Sequence, residues 1–262
     1  MPYPTGLRVH EHLPPGHRPP VVVLVHGALD RASSFARTVR RLDDLAVVTY
    51  DRRGYGGSRL DGPPATLADH VDDLLGVVGE LDRFGGRVTA VGHSLGGDVV
   101  VAAAIARPEG FASVGAFEPP MPWLGFTNPN RPPAAVRRPP EADPAAEAEG
   151  FFVRMVGQAA WDRLPERTRR GRRAEGPALV ADLAAIRGPE PFDVTTLAVP
   201  AVFGRGGAGS QPHHRQTVDW LAAHVPGAEE LTVDAAGHGA HLSHPDAFAA
   251  FVRAVVALGS RT

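Results

Sequence analysis

A glycine-rich turn joins two apolar runs near the middle of the chain and narrows the folds open to it. Arg87-Val88-Thr89-Ala90-Val91 is short, apolar and β-branched, and reads as a buried strand. Gly96 to Ala106, GGDVVVAAAIA, reads as a buried helix that ends at Arg107-Pro108. Between them stands Gly92-His93-Ser94-Leu95-Gly96-Gly97. A chain that passes from strand to helix this abruptly leaves neighbouring backbone no room for a Cβ and strains its central residue, so glycines flank the serine. The turn predicts Ser94 Oγ held out above the end of a sheet, the G-x-S-x-G arrangement of a nucleophile. The alternative is an ordinary helix start with Ser94 as its N-cap.

Strand-like apolar runs recur at 21–25, 45–50, 88–91, 112–117, 201–203 and 230–233. Helical patterns lie between most of them, at 33–42, 67–84, 96–106 and 212–224, with a last one at 245–258. This alternation predicts an α/β fold, a mostly parallel, doubly wound sheet covered on both faces. Ligands of such sheets bind at the carboxyl ends of the strands, so a site residue should follow a strand. Residues 119–190 break the alternation. The part at 119–143 is too rich in proline for regular structure, then Asp143-Pro144 opens a helical stretch to about Gln158. More helical sequence follows in AAWDRLPERTRRGRRAEG and PALVADLAAIRG. The segment predicts a helical lid inserted before the penultimate strands, with 1–118 and 191–262 forming the core. Trp123, Phe126 and Trp161 would line a pocket beneath it, or pack the lid itself.

Composition excludes several classes of function. A chain of 262 residues with 43% hydrophobic content suits one α/β domain with an insertion. Its net charge of −2 offers no basic field for nucleic acid, and no run reaches the length of a membrane span. The first twenty residues carry prolines and charges where a signal peptide needs an apolar core, so a cytoplasmic protein is expected. The absence of cysteine excludes disulfides, thiolate metal sites and a cysteine nucleophile. All 27 cations are arginine, which excludes Schiff-base and serine-lysine chemistry. The expected partner is a small-molecule substrate; the oligomeric state is left open, a homodimer included.

A serine alcohol needs a base to take its proton, an acid to orient that base, and donors for the oxyanion. The last strand is followed by AAGHGAHLSHPDAF. His238 sits there between two glycines directly after the strand and is the expected base; His241 is the alternative, and His244-Pro245 marks the next helix. The spacing of these histidines lacks a carboxylate or thiolate partner pattern, so neither metal nor cofactor is expected. The backbone N–H of Leu95 supplies one oxyanion donor. The other comes from His26-Gly27-Ala28-Leu29 after VVVLV, with Ala28 preferred and Leu29 next; alone, this would be a plain strand-ending glycine. For the acid, Glu118 directly follows ASVGAF and precedes Pro119-Pro120, which fix the chain direction. A glutamate bonded to lid backbone is its bland reading. Asp234 and a serine-histidine pair without a carboxylate are the alternatives.

HGALD, YDRRGYGGS, GHSLGG and GHGAHLSHPDAF, in that order over essentially the whole chain, resemble the α/β-hydrolase fold superfamily. Residues 50–58 resemble its D-x-R-G-x-G-x-S turn, which the resemblance treats as structural. The resemblance also implies a G-x-x-D turn after VPAVFG, carrying the acid. This chain has Gly204-Arg205-Gly206-Gly207 instead, and no carboxylate until Asp219 within a helix. Some relatives, certain dehalogenases among them, carry the acid after the strand that ends here at Phe117, which points to Glu118. Serine at 94 speaks against dehalogenase and epoxide hydrolase chemistry, whose nucleophile is aspartate. The resemblance thus implies a serine hydrolase of carboxylic esters or lactones. A carbon–carbon hydrolase, lyase or perhydrolase on the same fold, or a non-catalytic ligand-binding homologue, are the rival readings. Arg131, Arg137, Arg138, Arg169, Arg170, Arg172 and Arg173 would favour an anionic substrate or form a solvated face.

Overall fold

The computed structural model describes residues 3–16, 20–59, 64–126 and 143–261. Its strands are β1 (Arg8–His12), β2 (Val22–Val25), β3 (Val47–Asp51), β4 (Val88–His93), β5 (Phe111–Phe117), β6 (Ala201–Gly206) and β7 (Glu229–Val233). They form one sheet in the order β1-β3-β2-β4-β5-β6-β7, with β1 antiparallel to β3 and the other pairs parallel. β1, RVHEH, is not among the strands expected from sequence. It is polar and largely exposed at the sheet edge, so no apolar pattern marks it.

Successive residues of β2 serve opposite cores because strand side chains alternate. Val23 and Val25 join Leu74, Val78, Val99 and Ala103 on one face, from α2 (Leu67–Leu81) and α3 (Leu95–Ala106). Val22 and Leu24 join Phe248, Phe251 and Val255 of α10 (Pro245–Gly259) on the other. The 33–42 segment is less regular than expected. It winds as a 3-10 turn, Ala32–Phe35, then a short α1 (Ala36–Val39), and tight i to i+3 bonds carry it to Leu42. No helix among the described residues is long and apolar enough to cross a membrane.

The chain places β3 on one side of β2 and then crosses over to place β4 on the other. Strand order reverses there, so the loops leaving β2 and β4 open against each other at the carboxyl end of the sheet. They touch: a Cβ on Gly27 would lie 2.9 Å from Ser94 Cβ.

Between β5 and β6 the chain forms α4 (Pro144–Val156), α5 (Gln158–Asp162), α6 (Glu166–Ala174) and α7 (Gly176–Arg187). Asp143 caps α4 by accepting from the Ala145 N–H at 3.0 Å, ahead of proline in the first turn. α4 packs on α6 and α7. Residues 127–142, with Arg131, Arg137 and Arg138, lie outside the described residues. The remaining helices are α8 (Pro212–His224) after β6 and α9 (Ala240–Ser243) after β7.

Candidate active site

Ser94 adopts φ 53° and ψ −131°, a region costing an L-residue roughly 1–3 kcal/mol. The glycines explain why the turn persists. A Cβ on Gly92 would strike the carbonyl of Gly96, and one on Gly96 would strike the carbonyl of Val25. The Ser94 N–H donates to Phe117 O at 2.9 Å, pinning the turn to β5. Its side chain makes no capping bond to α3, which removes the N-cap alternative, and the residue stays half-buried, within reach of solvent.

Glu118 lies at the end of β5, fully buried and at φ 47°. His238, in the loop between β7 and α9, donates from Nδ1 to Glu118 Oε2 at 2.8 Å. Glu118 Oε1 accepts from the Gly206 N–H, also at 2.8 Å. Burial would raise this carboxyl; the hydrogen bond and charge of His238, with His214 and Ser210 beside it, instead hold it at about 2. It is ionised at any working pH.

The glycines that stand where the resemblance expects an aspartate have a steric cause. A Cβ on Gly206 would collide with Ala236 O, and one on Gly207 would lie 2.6 Å from Asp234 O. The β7 loop crosses too closely for a side chain there. Asp234 itself is exposed, and Asp219 is an exposed residue of α8 paired with Arg205 at 3.4 Å. His241, the alternative base, is buried and donates from Nε2 to Asp30 Oδ2 at 3.2 Å.

Two imidazoles that sequence reasoning did not single out flank His238. His214, at the start of α8, stacks on it with centroids 4.6 Å apart and planes at 15°. His93 lies 4.8 Å away and donates from Nε2 to the His238 carbonyl at 2.7 Å. Burial and neighbouring imidazoles push both well below the usual histidine range, so they stay neutral. The signal for His214 was available: it follows β6 at the same sheet end.

Two donor sets lie close enough to invite a metal, Glu118-His214-His238 and Asp30-His93-His241, each with donors within 4.8 Å of one another. In the first, nearly parallel rings direct their in-plane nitrogens along parallel lines instead of towards one point. In the second, both Nε2 atoms already serve Asp30 and the His238 carbonyl. The Nδ1 atoms of His93, His214 and His241 are buried without a hydrogen-bond partner.

The loop after β2 supplies backbone donors. The N–H groups of Ala28 and Leu95 meet no protein acceptor among the described residues. Leu29 adopts φ 51°, and its carbonyl accepts from Arg172 of α6 at 2.6 Å. Of the other arginines of the inserted helices, Arg169 pairs with Glu166 and Arg173 with Glu149. Trp161 is buried between Phe152 and Arg173 and packs the inserted helices together. Trp123 is half-buried edge-on to Phe192, and its Nε1 has no hydrogen-bond partner; Phe126 is half-buried beside it in sequence.

Known proteins share this fold. A family model described as "Alpha/beta hydrolase family" matches residues 22–251. The chain is 31% identical to a pimeloyl-[acyl-carrier protein] methyl ester esterase of Stenotrophomonas maltophilia, over 94% of this chain and 96% of that one. A shorter stretch is 32% identical to a 2-(acetamidomethylene)succinate hydrolase of Mesorhizobium japonicum, over 38% of this chain and 35% of that protein. Among solved structures, an alpha/beta hydrolase from Sphaerobacter thermophilus superposes with a TM-score of 0.67 at 25% identity, covering 94% of this chain and 95% of the other. A family match over nearly the whole sheet and a relative aligned over almost its full length settle the kinship: this chain is a hydrolase of the alpha/beta hydrolase family.

Proposed function

We propose that the protein hydrolyses a carboxylic ester or lactone of a small molecule through an acyl-enzyme intermediate. The observation that carries the reading is the 2.8 Å bond from His238 Nδ1 to a buried Glu118 carboxylate at the end of β5, with Ser94 held in a strained turn at the end of the neighbouring β4. With Nδ1 bearing its proton, His238 Nε2 is the basic nitrogen. It takes the proton of Ser94 Oγ as the oxygen attacks the acyl carbon, and returns it to the leaving alcohol. Glu118 fixes that tautomer and stabilises the imidazolium formed in between. The N–H groups of Ala28 and Leu95 receive the tetrahedral oxyanion, where each such donor is worth about 3 kcal/mol. Water then enters by the same base and cleaves the acyl-enzyme, and no cofactor is required. In this reading the 119–190 segment is a lid over the pocket, with Trp123 and Phe126 as walls and Trp161 stiffening the lid. The full-length relative named as a methyl ester esterase supports an ester as the bond cleaved.

The test is release of p-nitrophenol from p-nitrophenyl acetate and butyrate, together with labelling by a fluorophosphonate. The wild-type chain is expected to turn over at least one ester and to be labelled, with Ser94→Ala doing neither. Absence of Ser94-dependent release and labelling in the folded wild type would refute the proposal.

A further inference from the structure

The turn after β3 does more than shape the backbone. Arg52 is fully buried there and reaches across to the loop after β2. Its Nε donates to the His26 carbonyl at 3.0 Å and its Nη2 to the Gly27 carbonyl at 3.2 Å, while its own backbone N–H donates to His26 Nε2 at 2.8 Å. His26 closes the same knot, with Nδ1 donating to Gly27 O at 2.8 Å. The guanidinium is held in turn by Asp182 of α7, through Nη2 to Oδ2 at 2.7 Å and Nη1 to Oδ1 at 3.3 Å. Asp182 also accepts from Tyr55 Oη at 2.6 Å and His70 Nε2 at 3.1 Å.

A peptide unit is planar and trans, so its C=O and N–H point in opposite directions. The Gly27 carbonyl and the Ala28 N–H belong to one such unit. Whatever holds the carbonyl therefore aims the N–H the opposite way. We infer that Arg52, locked by Asp182 of the inserted helices, is a positioning residue that aims the Ala28 N–H at the oxyanion through the Gly27–Ala28 peptide plane. The inference rests on the proposed hydrolase reading and adds a dependence of that donor on α7. Arg172 of α6 grips the Leu29 carbonyl on the other side of Ala28, so the inserted segment holds the loop at two points. Lysine at 52 would keep the charge but lose the fork that spans two carbonyls and a carboxylate. Asparagine at 182 would keep the shape but leave Arg52 without its counter-charge.

The test compares Arg52→Lys and Asp182→Asn with the wild type on p-nitrophenyl butyrate, with rates expressed per fluorophosphonate-titrated serine. Ser113→Ala, which removes buried bonds to Thr89 and to the Val255 carbonyl at the amino end of the strands, is the control for destabilisation alone. Both test variants are expected to lose kcat by about 10- to 100-fold, part of the 10²- to 10³-fold that deleting such a donor costs, with KM within threefold. The inhibition constant of phenylboronic acid, which binds the serine as a tetrahedral adduct, should rise by the same factor. Ser113→Ala should keep kcat. If Arg52→Lys does not fold, Asp182→Asn carries the test. A kcat per titrated serine within threefold of wild type, or a loss confined to KM, overturns the inference. A wild type without Ser94-dependent turnover would instead remove the hydrolase reading beneath it.

Discussion

Exchange of Glu118 for glutamine tests the site at the atom pair that defines it. The amide oxygen can still accept from the Gly206 N–H, as Oε1 does at 2.8 Å. The NH2 group must then face His238 Nδ1, where the carboxylate now accepts at 2.8 Å. Nδ1 becomes an acceptor and the ring proton moves to Nε2, the nitrogen that receives the serine proton in the proposed mechanism. Amide replacement of the acid in a serine triad lowers kcat about 10⁴-fold for this reason, with geometry intact. Stability falls too. The carboxyl drops from its ordinary 4.5 to about 2, which at about 1.4 kcal/mol per pH unit is on the order of 3 kcal/mol in favour of the charged form. Because the folded value is depressed, this contribution is present above pH 4.5 and fades as pH falls towards 2. The assay is kcat on p-nitrophenyl butyrate with unfolding curves between pH 3 and 8. Wild type should exceed the variant in stability at neutral pH, and the gap should narrow steadily from pH 5 to pH 3. A variant that keeps more than a tenth of wild-type kcat, or a stability gap independent of pH, would refute the reasoning.

Other consequences follow from the same geometry. Gly206→Ala forces a Cβ onto Ala236 O and is expected to cost about 1–3 kcal/mol or more in urea denaturation; no loss would mean the β7 loop yields freely. Asp98 is fully buried, neither oxygen has a hydrogen-bond partner, and burial pushes its carboxyl well above the usual range. Its stabilising state is the protonated one, present at low pH and lost as pH rises, so Asp98→Asn should gain melting temperature over wild type at pH 8 and little at pH 4, and a pH-independent difference would contradict this.

Much of this was legible where the physical cause is local. Strands buried on both faces must be apolar throughout, so β2, β4 and β5 stand out in the sequence. Glycines at 92 and 96 announce backbone contact because no other residue survives it. Glu118 could be found by asking which carboxylate follows a strand. The rest depended on what packs against what. β1 pairs through backbone alone and shows a polar face, so hydropathy passes over it. The steric pressure at Gly206 and Gly207 comes from a loop 27 or more residues further along the chain, and read only as a missing acid. Arg52 stands at a variable position of a turn the resemblance treats as structural, and only the fold puts its fork on the carbonyls of His26 and Gly27. Trp161 offered a pocket wall in sequence; its partners Phe152 and Arg173 come from other turns of the inserted helices.

The strained residues are not scattered. Leu29, Ser94 and Glu118 have φ between 47° and 53° and lie just past β2, β4 and β5, which are neighbours in the sheet. At roughly 1–3 kcal/mol each, their sum rivals the 5–15 kcal/mol by which a whole domain is stable. Strain of that size persists only because the surrounding sheet and its two cores fix the backbone, and it can be isolated by experiment. Ser94→Ala and Ser94→Gly both remove the hydroxyl, and they differ only in the methyl group that makes φ 53° costly. Glycine relieves about 1–2 kcal/mol of left-handed strain and gives back about 0.5–1 kcal/mol through its greater freedom when unfolded. Ser94→Gly should therefore be more stable than Ser94→Ala by up to about 1.5 kcal/mol in chemical denaturation. If the alanine variant proves the more stable, the elbow is relaxed in solution, and the serine is held out by packing against Gly27 and not by a tense backbone.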